Sequence, residues 1–230
     1  MKIILAIVTV CLIAVSLPHT ALSQGALAGN ANMAVQITEA RKANAALMRQ
    51  YTWNSRTELL EQGQVKDIRL ELVNYGPDGQ LQRTLVNDQA APLPRGFLRK
   101  HMAEDAAKKT EQYISGLRGL LEQYTLPSAG KVLDFMNQAT TSGPDAGGLF
   151  IMMGRNVVAP GDSLSVWTDA ATRQTRKIVV ETVFQSDTVD FTATFKTLSS
   201  GLTYMAYAEV NVPAKQMTLQ VQNFDYNRNN

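Results

Sequence analysis

Few side chains in this 230-residue chain are of the types that make and break bonds, and their spacing argues against most such chemistry. Ser163 stands in Gly161-Asp162-Ser163-Leu164, where a serine on a tight turn acts as a nucleophile if a histidine base takes its proton. No histidine follows Ser163, and the residues after it alternate like a strand instead of opening a helix. A Pro160-Gly161-Asp162 turn feeding a strand is the simpler reading. His101 directly follows Arg99 and Lys100, which makes it a poor base, and the only other histidine is His19. A lone imidazole cannot build a multi-histidine metal site. Asp78, Asp162 and Asp169 fall in turns, where aspartate bonds its own backbone. The pairs Asp187/Asp190 and Glu58/Glu61 flank a strand start and a turn, with no reason to converge. No glycine-rich phosphate loop is present. The residues thus predict no catalytic group, no metal and no cofactor, and a protein that is not an enzyme.

The remaining side chains must be packed and addressed. Apolar residues make up 45% of the chain, enough for a core and too many for wholesale disorder. A formal charge of +2, with 18% charged residues, excludes a strongly basic nucleic-acid binder. The single cysteine, Cys11, excludes a disulfide framework. Lys2, the apolar run from Ile3 to Val15 and the small residues of Ala21-Leu22-Ser23 read as a cleaved secretory signal over residues 1–23. That run, about 13 residues, is short of the ~20 needed to span a bilayer, and no later segment is apolar enough. The expected product is an exported, periplasmic single domain over residues 24–230, without a transmembrane span. Arg95, Arg99, Lys100, Lys108 and Lys109 make one stretch locally basic, but Glu104, Asp105 and Glu111 dilute it. A solvated helix face accounts for it better than contact with anionic lipid head groups.

Periodicity supplies the scaffold. Residues 24–30 read as a loose leader. Met33, Ile37, Ala40, Ala43 and Leu47 mark one face of a helix over residues 32–50. From Thr52 the period becomes two: Trp53, Ser55, Thr57 and Leu59 alternate with polar neighbours, and Gln62-Gly63-Gln64 turns the chain. Ile68, Leu70 and Leu72 then alternate with Asp67, Arg69 and Glu71. Gly76-Pro77-Asp78-Gly79 turns into a third strand at Leu81 to Val86, and a Pro-bearing connector covers 88–95. Helical spacing returns from Gly96 to Tyr124, where Lys109 and Thr110 interrupt the apolar stripe and suggest two shorter helices. Pro127 ends that block, Ser128 caps another helix, and the Gly/Ser/Thr-rich 140–148 closes it. Six strands follow, near 149–153, 164–168, 177–185, 189–196, 202–212 and 217–224.

Strands joined by short turns make an antiparallel sheet, and about nine of them curl as twist accumulates. Each strand is expected to turn its apolar face inward. The fold class is therefore α+β: a curled antiparallel sheet, an incomplete barrel, with helices covering its concave face. Trp53, Phe150, Met152, Trp167, Phe191 and Phe195 are the expected apolar lining of that hollow; aromatic and Met walls accept ligands of varied shape.

Three stretches add a resemblance: Tyr51 to Glu58 (YTWNSRTE), Tyr75 to Gln82 (YGPDGQLQ), and Val212-Pro213-Ala214-Lys215 through Asn223-Phe224-Asp225-Tyr226. With the helix–sheet–helices–sheet order, the chain from about residue 33 to 226 resembles exported bacterial proteins related to the periplasmic outer-membrane lipoprotein carrier (LolA/LolB-like) superfamily. The resemblance implies an incomplete barrel with a helical lid and a hydrophobic cavity for acyl chains. The function it implies is non-catalytic: holding a lipid, acyl chain or lipoprotein. The alternatives are an envelope protein–protein interaction or sensor module with a filled core, and, more remotely, a serine esterase through Ser163, whose motif is similar to one esterase family's signature.

Overall fold

The computed structural model describes residues 24–90, 97–125 and 128–229, with side chains described from Gly29 onward except at 89–90 and 97–104. The expected signal over 1–23, Pro127 and Arg95 lie outside the described residues, as do the side chains of Arg99 and Lys100. Among those described, no helix is long and apolar enough to cross a membrane.

Helix α1 spans Gln24–Met48 and runs into β1 (Tyr51–Glu61), β2 (Gln64–Tyr75) and β3 (Leu81–Ala90). Helices α2 (Phe97–Gln123) and α3 (Ala129–Gln138) follow. Seven more strands complete the chain: β4 (Thr140–Ser142), β5 (Leu149–Arg155), β6 (Ser163–Asp169), β7 (Thr175–Phe184), β8 (Asp187–Thr197), β9 (Thr203–Val212) and β10 (Met217–Arg228). All ten strands form one antiparallel sheet in the order β3-β2-β1-β10-β9-β8-β7-β6-β5-β4. The sheet is curled but not closed, since β3 and β4 sit at opposite edges. The first and last strands lie side by side inside it, third and fourth from the β3 edge, with Thr57 opposite Val221.

Three expectations change in detail. Residues 24–30 extend α1 instead of forming a loose leader. Helix α2 is continuous through Lys109 and Thr110, because a polar pair off the buried stripe of Tyr113, Ile114 and Leu117 leaves the backbone ladder intact. The 140–148 segment contributes β4, so the sheet has ten strands and not nine; three exposed residues carry too little alternation to be read as a strand. Ser128 caps α3 as expected, its hydroxyl accepting from the Lys131 amide at 3.2 Å.

Both helical blocks pack on one face. Ala34 and Ile37 of α1 and Val132, Phe135 and Met136 of α3 meet Met152, Leu164, Val166 and Val180. Tyr113, Ile114 and Leu117 of α2 meet Leu59, Val189, Val210, Val212 and Met217. Gly154 on β5 sits so close to α3 that a Cβ there would lie 2.6 Å from the Phe135 ring. Asn44 ties α1 to the β9 end of the sheet, its amide donating to the Thr203 carbonyl and accepting from the Thr203 amide, both at 2.7 Å.

Candidate functional site

Directly opposite residues of an antiparallel pair share a face, so facing follows from register. Strand β1 buries Tyr51, Trp53, Ser55, Thr57 and Leu59, and Leu59 packs with α2. The two-residue turn Gln62-Gly63, both at positive φ, starts the pairing of β2 with Glu61 opposite Gln64 and Leu60 opposite Val65. Continued unbroken, that register would set Leu70 against Ser55 and Leu72 against Trp53. Instead the pairing resumes with Leu59 opposite Asp67, leaving Lys66 as an extra residue. A one-residue offset turns every later side chain to the other face. Thr57 therefore faces Arg69, Ser55 faces Glu71 and Trp53 faces Val73. The expectation of an apolar inward face is reversed on this strand. Asp67, Arg69 and Glu71 point to the helix side, while Ile68, Leu70 and Leu72 turn outward, Leu72 being 40% exposed.

The inverted strand builds a charged patch inside the curl. Arg69 and Glu71 are buried at 6% and 7% exposure. Arg83, opposite Val73 on β3, donates to Glu71 at 2.7 Å. Arg69 Nε lies 3.3 Å from Asp67 Oδ2, with Asp88 opposite Arg69 on β3. Burial raises the Asp67 carboxyl above its ordinary range; Arg69 opposes the shift and Asp88 reinforces it. Ser55 Oγ, Asp67 Oδ1, Arg69 Nε and Arg83 Nε are buried without a hydrogen-bond partner. Buried polar atoms are normally satisfied, so four on three adjacent strands set this patch apart from the apolar clusters beside it. A crevice of about 30 Å³ lies beside Asp67 and Arg69, under Thr110 and Glu111 of α2.

Beside the patch the helix-facing side of the sheet changes character. Ala193, Ala208 and Val221 form a third buried cluster, with Phe191, Phe195 and Met205 packed on it. Each of the three lies two residues along its strand from Phe191, Val210 or Leu219, which belong to or pack on the α2 cluster. Among the described residues, the third cluster holds strand side chains alone. Beyond it stands an aromatic wall. Trp53 stacks on Tyr226 at 5.4 Å, and Tyr204 lies 4.2 Å and Tyr51 6.5 Å from the same ring. Tyr75 meets Trp53 at 6.1 Å. Burial pushes the Tyr226 phenol up, with Tyr204 and Tyr75 adding to the shift and Arg83 opposing it.

The expected lining residues do not form one chamber. Trp53 belongs to the aromatic wall, and Phe191 and Phe195 border the strand-only cluster. Met152 is packed against α1 and α3, and Phe150 lies under the Arg173 guanidinium, 5.6 Å away. Trp167 pairs opposite Ile151 and Lys177, on the outer face, with the Lys177 ammonium 5.0 Å from its ring centre. Tyr51, Tyr204, Tyr226 and the charged patch did not stand out in the sequence. The signal for the patch was a mismatch: counting back from the Gln62-Gly63 turn puts the apolar sets of β1 and β2 on one face only if no residue bulges.

The esterase-like segment is a turn. Asp162 is buried and accepts from the amides of Val157, Val158 and Ala159 at 2.6–2.8 Å, and from the Tyr124 hydroxyl at 2.6 Å. With its one proton on Asp162, Tyr124 accepts from the Thr182 hydroxyl at 2.8 Å. Ser163 instead faces Glu181, its hydroxyl donating at 3.3 Å, so Asp162 and Ser163 do not converge. Asp169 and Asp78 likewise hold turn amides, those of Ala171, Thr172 and Gln80. His101 lies in α2, its side chain outside the described residues. Among the described residues, no three His, Cys, Asp or Glu are grouped to hold a metal. At the hairpin end of the sheet, a hollow of about 510 Å³ is lined by Glu61, Gln62, Lys109, Gln112, Tyr113 and Lys215 among others. That lining is too polar for an acyl chain.

No protein-family model matches the chain, and no curated protein matches it. Among solved structures it is similar to the crystal structure of a DUF1329 family protein from Desulfovibrio piger ATCC 29098. The TM-score is 0.37 and the identity 8%, over 88% of this chain and 92% of that one. So slight a likeness carries no function across.

Proposed function

We propose that the chain is an exported, periplasmic, non-catalytic binding protein that holds an apolar chain, as in a lipid, acyl group or lipoprotein, against the helix-facing side of its open sheet. The observation that carries this reading is the strand-only cluster. Ala193, Ala208 and Val221 form a floor of small side chains between the α2 cluster and the aromatic wall of Trp53, Tyr204 and Tyr226, closed at 1–5% exposure until the side chains packed on it move aside. Phe195 and Met205 flank that floor and are only partly buried. Apolar ligand surface laid there gains about 25 cal/mol per Å², with no bond chemistry required.

Uptake of the fluorescent probe N-phenyl-1-naphthylamine tests it. The protein should bind the probe saturably, and Ala208→Phe, which fills the floor, should weaken binding at least about tenfold while far-UV circular dichroism is retained. Absence of uptake, or uptake indifferent to the filled floor, overturns the reading. A second reading, an envelope protein-interaction module, is favoured by one observation: Ile68, Leu70 and Leu72 face outward beside the exposed Val86. Loss of a specific pull-down partner on Leu72→Glu, with probe uptake intact, is its signature.

A further inference from the structure

The bulge at Lys66 turns the charged side of β2 inward and its apolar side outward, against the ordinary preference of a strand covered on one face. Burying Arg69 and Glu71 in place of Ile68, Leu70 and Leu72 needs a compensating polar partner. The internal pairs Arg83–Glu71 and Arg69–Asp67 supply part of it. Yet Arg83 Nε, Asp67 Oδ1 and Ser55 Oγ stay without a partner, and Arg69 Nε, on a side chain only 8% exposed, has just the ion pair to Asp67 Oδ2 at 3.3 Å. The patch adjoins the apolar floor directly: Thr57, opposite Arg69, also faces Val221, and Ser55, opposite Glu71, faces Asn223.

We propose that this inverted patch receives the polar end of the amphiphile whose apolar body lies on the strand-only cluster, and that it selects a zwitterionic head group, of the phosphoethanolamine kind, over a purely anionic one. The inference rests on the binding function proposed above. The Arg83 Nε–H offers a donor suited to a phosphate oxygen, in a patch that also holds the Arg69 charge. Asp67 Oδ1 offers an acceptor suited to an ammonium, and the Ser55 hydroxyl can serve either. Arg69 and Arg83 stand against Asp67, Glu71 and Asp88, so the patch carries no net positive charge and a bare anion gains no net attraction, whereas a head carrying both signs satisfies donors and acceptor together.

The test uses short soluble lipids, dihexanoyl phosphatidylethanolamine and dihexanoyl phosphatidylglycerol, on the full chain after signal cleavage. Trp167→Phe removes the outer-face tryptophan, so fluorescence reports Trp53 beside the patch. The ethanolamine lipid should bind at least about tenfold tighter than the glycerol lipid. Replacing Asp67 and Arg69 together by Leu should bring that ratio to about one. Should the double variant fail to fold, Ser55→Ala, which deletes one unsatisfied hydroxyl, should lower the ratio measurably. Equal affinities in the parent, or a ratio untouched by every folded variant, overturn this inference while N-phenyl-1-naphthylamine uptake leaves the binding function standing. If neither that probe nor either lipid binds, both fall.

Discussion

Asp162 shows how a residue that reads as chemistry can be architecture. It joins the β6 entry to the residue that follows α2, Tyr124, and it satisfies three turn amides at once. Tyr124→Phe removes one buried partner and leaves the Thr182 hydroxyl unmatched; it should destabilise by about 1–3 kcal/mol in urea unfolding. Burial alone would raise the Asp162 carboxyl, but Tyr124 and the amides of Ala159, Val158 and Val157 outweigh it and hold it below its ordinary value. The Thr172 amide, against the effect of burial and with help from Arg176, pulls Asp169 down to about 2. Carboxyls depressed on folding contribute their stability above the unfolded value near about 4 and lose it as pH falls toward the folded one. Denaturation midpoints should therefore drop steeply between about pH 4 and 2, and Asp162→Asn should flatten that drop while lowering stability at neutral pH. Glycines separate by what surrounds them. Gly154→Ala drives a methyl into Phe135 and should cost about 1–3 kcal/mol. Gly119→Ala on α2 meets nothing within 4 Å and should stabilise by up to about 1 kcal/mol. Thermal melts of the pair check both signs.

At the scale of elements, the Lys66 bulge accompanies the register that turns the charged side of β2 toward the helices. The native chain has one cysteine, Cys11, inside the expected signal, so thiol labelling can read facing without interference once the signal is removed. Leu72→Cys should react quickly and Glu71→Cys slowly, matching their exposures. Deleting Lys66 should keep that order, since it removes only the unpaired residue and leaves Leu59 opposite Asp67 and Ser55 opposite Glu71. A reversed order would show that the strand slips along β1 and that the observed register does not set the facing. β3 carries its own extra residue, Val86, 59% exposed beside the register shift at Leu70/Glu71. Such irregularities also blunt the edge that β3 presents to other strands.

For the whole molecule, the central fact is that β1 pairs with β10. The two halves of the chain share one sheet, and the buried Met217 and Val221 of the last strand belong to the α2 cluster and to the strand-only cluster. Unfolding should be a single cooperative transition by both near- and far-UV circular dichroism. Truncation after Gln216 removes the partner of β1 and of β9 together, and should leave a chain without a cooperative melt.

What the sequence determined by itself is local and periodic. Alternation placed β1 and β8, the Gln62-Gly63 and Gly76-Pro77-Asp78-Gly79 turns bounded the β1–β2 and β2–β3 hairpins, and Ser128 announced α3. Short connections in turn implied an open antiparallel sheet with helices on one side. These features are written in neighbouring residues, where φ preference, capping and period act directly. Facing is another matter. Whether Arg69 or Leu70 looks inward depends on one extra residue in a ladder, and whether Trp167 lines a hollow or lies under Lys177 depends on its partners across two strands. Tyr204 and Tyr226, far from Trp53 in the chain, become its neighbours because β10 docks on β1 and β9 on β10. Only the tertiary structure brings such groups together, because registers and bulges are settled by packing across the whole sheet.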